Sequence, residues 1–288
     1  MDILINELSL QRQFESVEIF LNTSFSNFVK IFNFLYQVEK PILKNFQFYN
    51  CDITQENNLH SIISNRELSR TSDSIRKFKI ILDKLISDPY WENDSQQDSE
   101  AGYTCNGNNV SGTSLAESYE RESVLISFVP SDYDTDILPV LKNNEDEKIL
   151  DNFTDNLSVA DFLFKNNIIN FHQYCREAFK NTKLSFEHIN KEKSFDYLRT
   201  AEEESEYLKS FNLFCEMDWQ SIIEQGGKGE NKVGLAYEKY HNQKYFKNYN
   251  IPYSIDKFRC SKKFRAFGFR KGDTFYLLEF DLKHKLSD

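Results

Sequence analysis

The sequence predicts an α+β protein: an N-terminal small α/β unit, a helical middle, and a C-terminal helix plus curved antiparallel sheet. Three observations carry this expectation. Apolar residues recur at three-and-four spacing over several long stretches, the period of a helix face. Short segments alternating with period two gather after Pro252 and are separated by Gly turns. A near-continuous apolar run, Val124–Val129, suits a strand covered on both faces. At about 150 residues per domain, 288 residues make about two domains. The chain has 26 Phe and 15 Tyr but only 9 Gly and 5 Pro, a composition that argues against disordered or linker-rich architectures.

The elements follow in order. Residues 2–10 alternate around Ile3 and Ile5 and read as a strand. A long helix is expected from Gln13 to Val38, on the stripe Val17, Phe20, Leu21, Phe25, Phe28, Ile31, Phe32 and Leu35, with Pro41 closing it. Phe46–Tyr49 reads as a second strand. Ser74–Ile86 is helical, with Ile75, Phe78, Ile81, Leu82 and Leu85 on one face. Residues 88–112 break the pattern and read as a long polar loop, of the kind that is functional or mobile. Thr113 is a good N-cap for a short helix. The polar stretch Lys142–Asn156 marks a boundary. The division is therefore 1–145, a regulatory or docking α/β domain; 146–225, mostly helical; and 226–288, a basic β module. In the helical part, Glu202, Glu203, Glu204 and Glu206 suit a solvated helix N-terminus.

The N-terminal residues Met1–Glu7 lack a basic region and a small-residue cleavage site, and no apolar run approaches the roughly 20 residues of a membrane span. The chain reads as cytoplasmic, with no membrane partner. Its five cysteines, Cys51, Cys105, Cys175, Cys215 and Cys260, form no CxxC or CxxH pair. No metal site or cofactor is expected from them, and isolated cysteines are usually small buried hydrophobes. Cys175 alone has a histidine, His172, at helical spacing.

The formal charge of −10 argues against a protein that coats nucleic acid over its whole surface. The charge is unevenly spread. Residues 228–288 hold 14 Lys+Arg against 7 Asp+Glu, a net +7, and the remainder is −17. A basic module on an acidic chain fits binding to a phosphodiester backbone. The Gly226–Gly229 cluster does not have Walker spacing and reads as a turn before a helix. That helix, Val233 to about Tyr249, would set Tyr237, Tyr240, His241 and Lys244 at three-and-four spacing, with Lys239 beside them; Tyr, His and Lys on one face can stack bases and hold phosphates. Strands 256–260, 264–270 and 274–281 follow, with Lys271-Gly272-Asp273 as a turn. Period-two alternation puts Arg265, Phe267 and Phe269 on one face and Arg270 on the other.

Arg259, Arg265, Phe267, Gly268, Arg270, Gly272, Asp273, the run Phe275–Phe280 and His284 together resemble the C-terminal half of RelE/ParE-type toxins. The resemblance covers about the last 60 of the 288 residues. It implies helices on one face of a curved antiparallel sheet and metal-independent endoribonucleolytic cleavage, in which the ribose 2′-OH attacks the adjacent phosphate. It implies catalytic roles for Arg265, Arg270 and His284, the arginines stabilising the phosphorane and the histidine moving a proton. Lys239, Tyr240, His241, Lys244, Arg259, Lys262 and Lys263 would bind the RNA. That family often ends in a Tyr shortly after its last His; this chain has Leu286-Ser287-Asp288 there. A large N-terminal extension resembles the layout of phage-defence and toxin–antitoxin effectors. The expected function is thus a bacterial toxin or anti-phage effector acting on RNA or the ribosome, with an antitoxin or defence-system protein as partner. The alternative is a non-catalytic component of such a system that binds nucleic acid or protein.

Overall fold

Residues 1–65, 73–226, 234–283 and Leu286 are described in the computed structural model, apart from the side chains of 73 and 74. The protein is α+β. It divides into two compact units, Met1–Phe162 and Leu163–Asp288.

In the first unit, β1 (Ile3–Ile5) is shorter than expected, because Asn6 accepts the Leu8 amide and turns the chain into a 3-10 segment, Glu7–Leu10. The expected long helix is two: α1 (Val17–Asn22) and α2 (Ser24–Gln37). They break at Thr23, whose hydroxyl donates to the Ile19 carbonyl and whose backbone leaves the helical region. Phe46–Tyr49 is not a strand. Asn45 accepts the Gln47 amide through its side chain and the Phe48 amide through its carbonyl, and a 3-10 turn, Phe48–Asn50, results. Helices α3 (Leu59–Ser64) and α4 (Asp73–Ile86) follow. Ile75, Phe78, Ile81, Leu82 and Leu85 are all buried, as the spacing predicts.

The stretch 88–112 carries structure: a 3-10 turn (Trp91–Asp94), then β2 (Tyr103–Cys105) and β3 (Asn108–Asn109). It is tied to α5 (Ser114–Arg121) by the Trp91 indole on Ser114 Oγ at 3.0 Å and by the Gln96 amide on Glu117 Oε1 at 2.9 Å. Thr113 caps α5 as expected. Strands β4 (Val124–Ile126), β5 (Ile137–Lys142) and β6 (Asp146–Phe153) complete a sheet of order β1-β4-β6-β5-β2-β3. β1, β4 and β6 run parallel and the rest antiparallel. The polar stretch 142–156, expected as a domain boundary, therefore contains a strand of this sheet, and the division into units falls within α6 (Asn156–Lys165).

In the second unit, α7 (Phe171–Ala178), α8 (Ala201–Glu216) and α9 (Trp219–Glu224) pack on one sheet. Thr200 and Glu203 form a capping box at the start of α8, so the acid run is a helix N-terminus. The sheet order is β7-β11-β10-β9-β8, where β7 is Leu184–Ser185, β8 Glu238–Lys239, β9 Ile255–Arg259, β10 Arg265–Lys271 and β11 Thr274–Asp281. The last three were legible from alternation. The helix expected over 233–249 is not formed: among the described residues this stretch is β8 followed by a 3-10 segment, Gln243–Tyr249. Tyr237 and Tyr240 share helical spacing, yet they pack into two different cores, on opposite faces of the sheet. Gly227–Val233 lie outside the described residues.

Candidate functional site

The two faces of the second sheet differ in chemistry. The face toward α7, α8 and α9 is apolar: Phe258, Ala266, Phe275, Leu277 and Phe280 meet Tyr207, Phe211 and Phe214. Burying each large ring there is worth about 2–3 kcal/mol. The opposite face follows the alternation of β10, with Arg265, Phe267, Phe269 and Lys271 in a row. Its centre is covered by the segment Gln243–Tyr249, whose Phe246 joins Tyr240 over Phe267. Glu279 anchors this cover. It is 2% exposed and accepts from Lys193 Nζ at 3.0 Å, from the Tyr245 hydroxyl at 3.0 Å and from the Tyr249 hydroxyl.

One end of this face is cationic. Arg265 on β10 lies directly opposite Arg259 on β9 and opposite Asp281 on β11. Like charges facing each other across a ladder are unfavourable. The neighbouring carboxylates Asp281 and Glu238 offset this only in part, and Asp281 accepts the Lys283 and Leu286 amides at 3.1 and 2.9 Å. Arg265 Nη1 instead donates to the carbonyls of Ser261 and Phe264, each at 2.8 Å. Among the described residues, neither Arg259 nor Arg265 forms an ion pair with a carboxylate. Burial, then the Arg259 charge, pushes the Arg265 guanidinium below its usual range. The connecting turn, 260–264, adds Lys262 and Lys263, both exposed. Four basic residues thus gather at the β9–β10 turn.

The other expected site residues are dispersed. Arg270 sits at the far end of β10, on the opposite face. Its guanidinium stacks 3.8 Å over Trp219 and donates from Nε to the Gly272 carbonyl, so it does not join Arg265. Tyr240 is 2% exposed and packs on Phe246 and Phe267, which leaves no ring face for a base. Lys239 is exposed on the edge strand β8, and His241 and Lys244 are exposed around the 3-10 segment rather than on one helix face. His284 lies outside the described residues. Cys175 is fully buried, which pushes its thiol well above the usual range, and His172 packs on Phe195. This pair is core.

The first unit offers a contrasting location. Ligands of parallel sheets commonly sit at the carboxyl ends of the strands. Here Asn6 donates to Ser127 at 2.8 Å, Ser127 to Asn152 at 2.7 Å, and Asn152 to the Tyr133 and Thr135 carbonyls. These groups satisfy one another. Glu7, one residue beyond Asn6, accepts the Ser114 amide at 2.9 Å, and its other oxygen is buried without a partner. Burial pushes its carboxyl up to about 7.

No family model, curated protein or solved structure matches the chain. No helix among the described residues is long and apolar enough to cross a membrane. The cationic end of the second sheet is the strongest candidate site. Sequence reasoning identified its four basic residues. It missed Glu279 and Lys193, which hold the cover in place and are 86 residues apart.

Proposed function

We propose that the second unit binds the phosphodiester backbone of RNA, and that the protein is a toxin or anti-phage effector acting through that contact. One observation carries the reading: two arginines, Arg259 and Arg265, directly opposite each other on neighbouring strands, neither of them in an ion pair with a carboxylate among the described residues. An anionic group seated between them relieves their repulsion and accepts charge-assisted hydrogen bonds from both. Phosphate geometry matches the guanidinium fork. Lys262 and Lys263 flank the pair, and the +7 balance of residues 228–288 supports a polyanionic partner over a small carboxylate.

Binding is favoured over cleavage because Arg265 and Arg270 lie at opposite ends and on opposite faces of β10, so a single phosphate cannot meet both. The test is fluorescence anisotropy with labelled RNA at rising salt, run beside a gel that reads RNA length. Salt-sensitive binding that weakens at least tenfold in the Arg259→Ala/Arg265→Ala variant, with RNA length unchanged, is the expected result. Loss of the two contacts lowers the salt slope by about 0.7 each for a single strand. Binding that ignores salt or the double variant overturns the reading. RNA shortening that depends on Arg265 replaces it with the endoribonuclease reading.

A further inference from the structure

At the end of the same face away from the arginine pair, three rings form a ladder across the sheet, with a fourth tilted beside it. Tyr253, just before β9, stacks on Phe269 of β10 with centroids 5.2 Å apart and planes 5° from parallel. Phe269 stacks on Tyr276 of β11 at 5.1 Å and 10°. His188, after β7, lies tilted beside both of these rings, 5.4 Å from Tyr276 at 47° and 5.7 Å from Phe269 at 38°. The register fixes the middle of the row, since Phe269 and Tyr276 are direct cross-strand partners. It also depends on Gly268. A Cβ there would lie 2.2 Å from the Tyr276 carbonyl, so only glycine lets β11 approach closely enough beside Phe269.

The ladder is core only at its centre. Phe269 is buried, but Tyr253, at one end of the stack, is 40% exposed, Tyr276 at the other end is half-buried, and His188 beside it is exposed. Cations lie on both sides. Lys271, exposed, follows Phe269 by two residues on the same face, and Arg265 precedes it by four, about 13 Å along the strand. The cover itself carries Lys244 and Lys247, both exposed.

We propose that this ladder is a stacking platform for the bases of single-stranded RNA, whose backbone the arginine pair holds; the inference rests on the backbone-binding reading above. Flat rings beside a cationic track bind single strands because every unpaired base has a π-face, whereas a duplex keeps its bases stacked inside. Tyr253 lets the existing stack continue onto a base, and His188 offers a second exposed ring beside Tyr276.

The experiment compares three labelled probes of roughly ten nucleotides, within the range that single-strand modules cover: oligo-uridine, an abasic RNA of equal length, and an RNA duplex. Oligo-uridine is expected to bind about tenfold tighter than the abasic strand, the effect of one to two stacked bases. Tyr253→Ala and His188→Ala bring oligo-uridine to the abasic level, while Tyr253→Phe, which keeps the ring, restores the preference. Equal affinity for oligo-uridine and the abasic strand, both still dependent on Arg259 and Arg265, overturns the platform and leaves backbone binding intact. A duplex that binds as well as oligo-uridine also overturns it. Absence of binding to all three probes overturns both proposals.

Discussion

Arg121 in the first unit and Arg265 in the second are both largely withdrawn from water, and their surroundings are opposites. Arg121 meets Glu117 through Nε, Asp2 at 3.0 Å and Asp94 at 3.8 Å. Burial disfavours its charge, but Glu117 and Asp2 outweigh this and hold its pKa above the usual range. Arg265 has two backbone carbonyls and a second arginine, and Asp281 and Glu238 act on it without forming an ion pair, so burial and Arg259 prevail. A buried charge completed by its own chain is part of the scaffold. One left facing a like charge is a place where an outside anion is favourable.

The same substitution at the two sites tests that contrast. Arg121→Leu leaves Glu117, which is fully buried, without its cation, and is expected to cost about 3–5 kcal/mol in urea unfolding. A cost below about 1 kcal/mol would put Arg121 in the same class as Arg265.

Glu7 is the intermediate case, a buried acid whose second oxygen has no partner. Its folded pKa of about 7 exceeds the ordinary 4.5, so the folded state holds the proton more tightly than the unfolded chain. The resulting stability is complete below about pH 4.5 and is lost as pH rises through about 7, amounting to about 3 kcal/mol. Glu7→Gln removes this dependence. Its Tm relative to wild type should be higher at pH 8 than at pH 5, and an unchanged difference between the two pH values would show Glu7 to be ionised throughout.

Arg270→Ala removes the stack on Trp219 and should cost about 1 kcal/mol. Its RNA affinity should fall less than twofold; a loss equal to that of the Arg265 variant would return Arg270 to the RNA site. The smallest stability effect is expected for Arg265→Leu. The two lost hydrogen bonds are offset by relief of the Arg259 repulsion, leaving less than about 1 kcal/mol by thermal melting while RNA affinity drops. Unfolding by several kcal/mol would make Arg265 a scaffold arginine.

Much of the second sheet was legible in the sequence. The alternation of Phe264–Arg270, the Gly272 turn and the return run through Phe280 define a hairpin locally, and Arg265 and Arg270 fall on the expected opposite faces. The stretch 142–156 was not legible, because β6 exposes Glu147 and Asp151 and buries Asn152 through hydrogen bonds, so its sequence reads as loop. The segment 233–249 misled for the converse reason. Its Tyr spacing imitates a helix face, while Tyr237 and Tyr240 serve separate cores. Two ring neighbours of Phe269 come from before β9 and after β7, and no local pattern announces Tyr253 or His188.

By itself the sequence determined the local elements whose period is regular, the concentration of positive charge after residue 227, and the four basic residues around one turn. Only the tertiary structure decided which charges are paired. Asp281 accepts the Lys283 and Leu286 amides, Glu279 takes Lys193 from across the chain, and Arg270 is drawn to Trp219. Pairing depends on distances through space over a few ångströms, and those distances exist only once strands and loops far apart in sequence have packed.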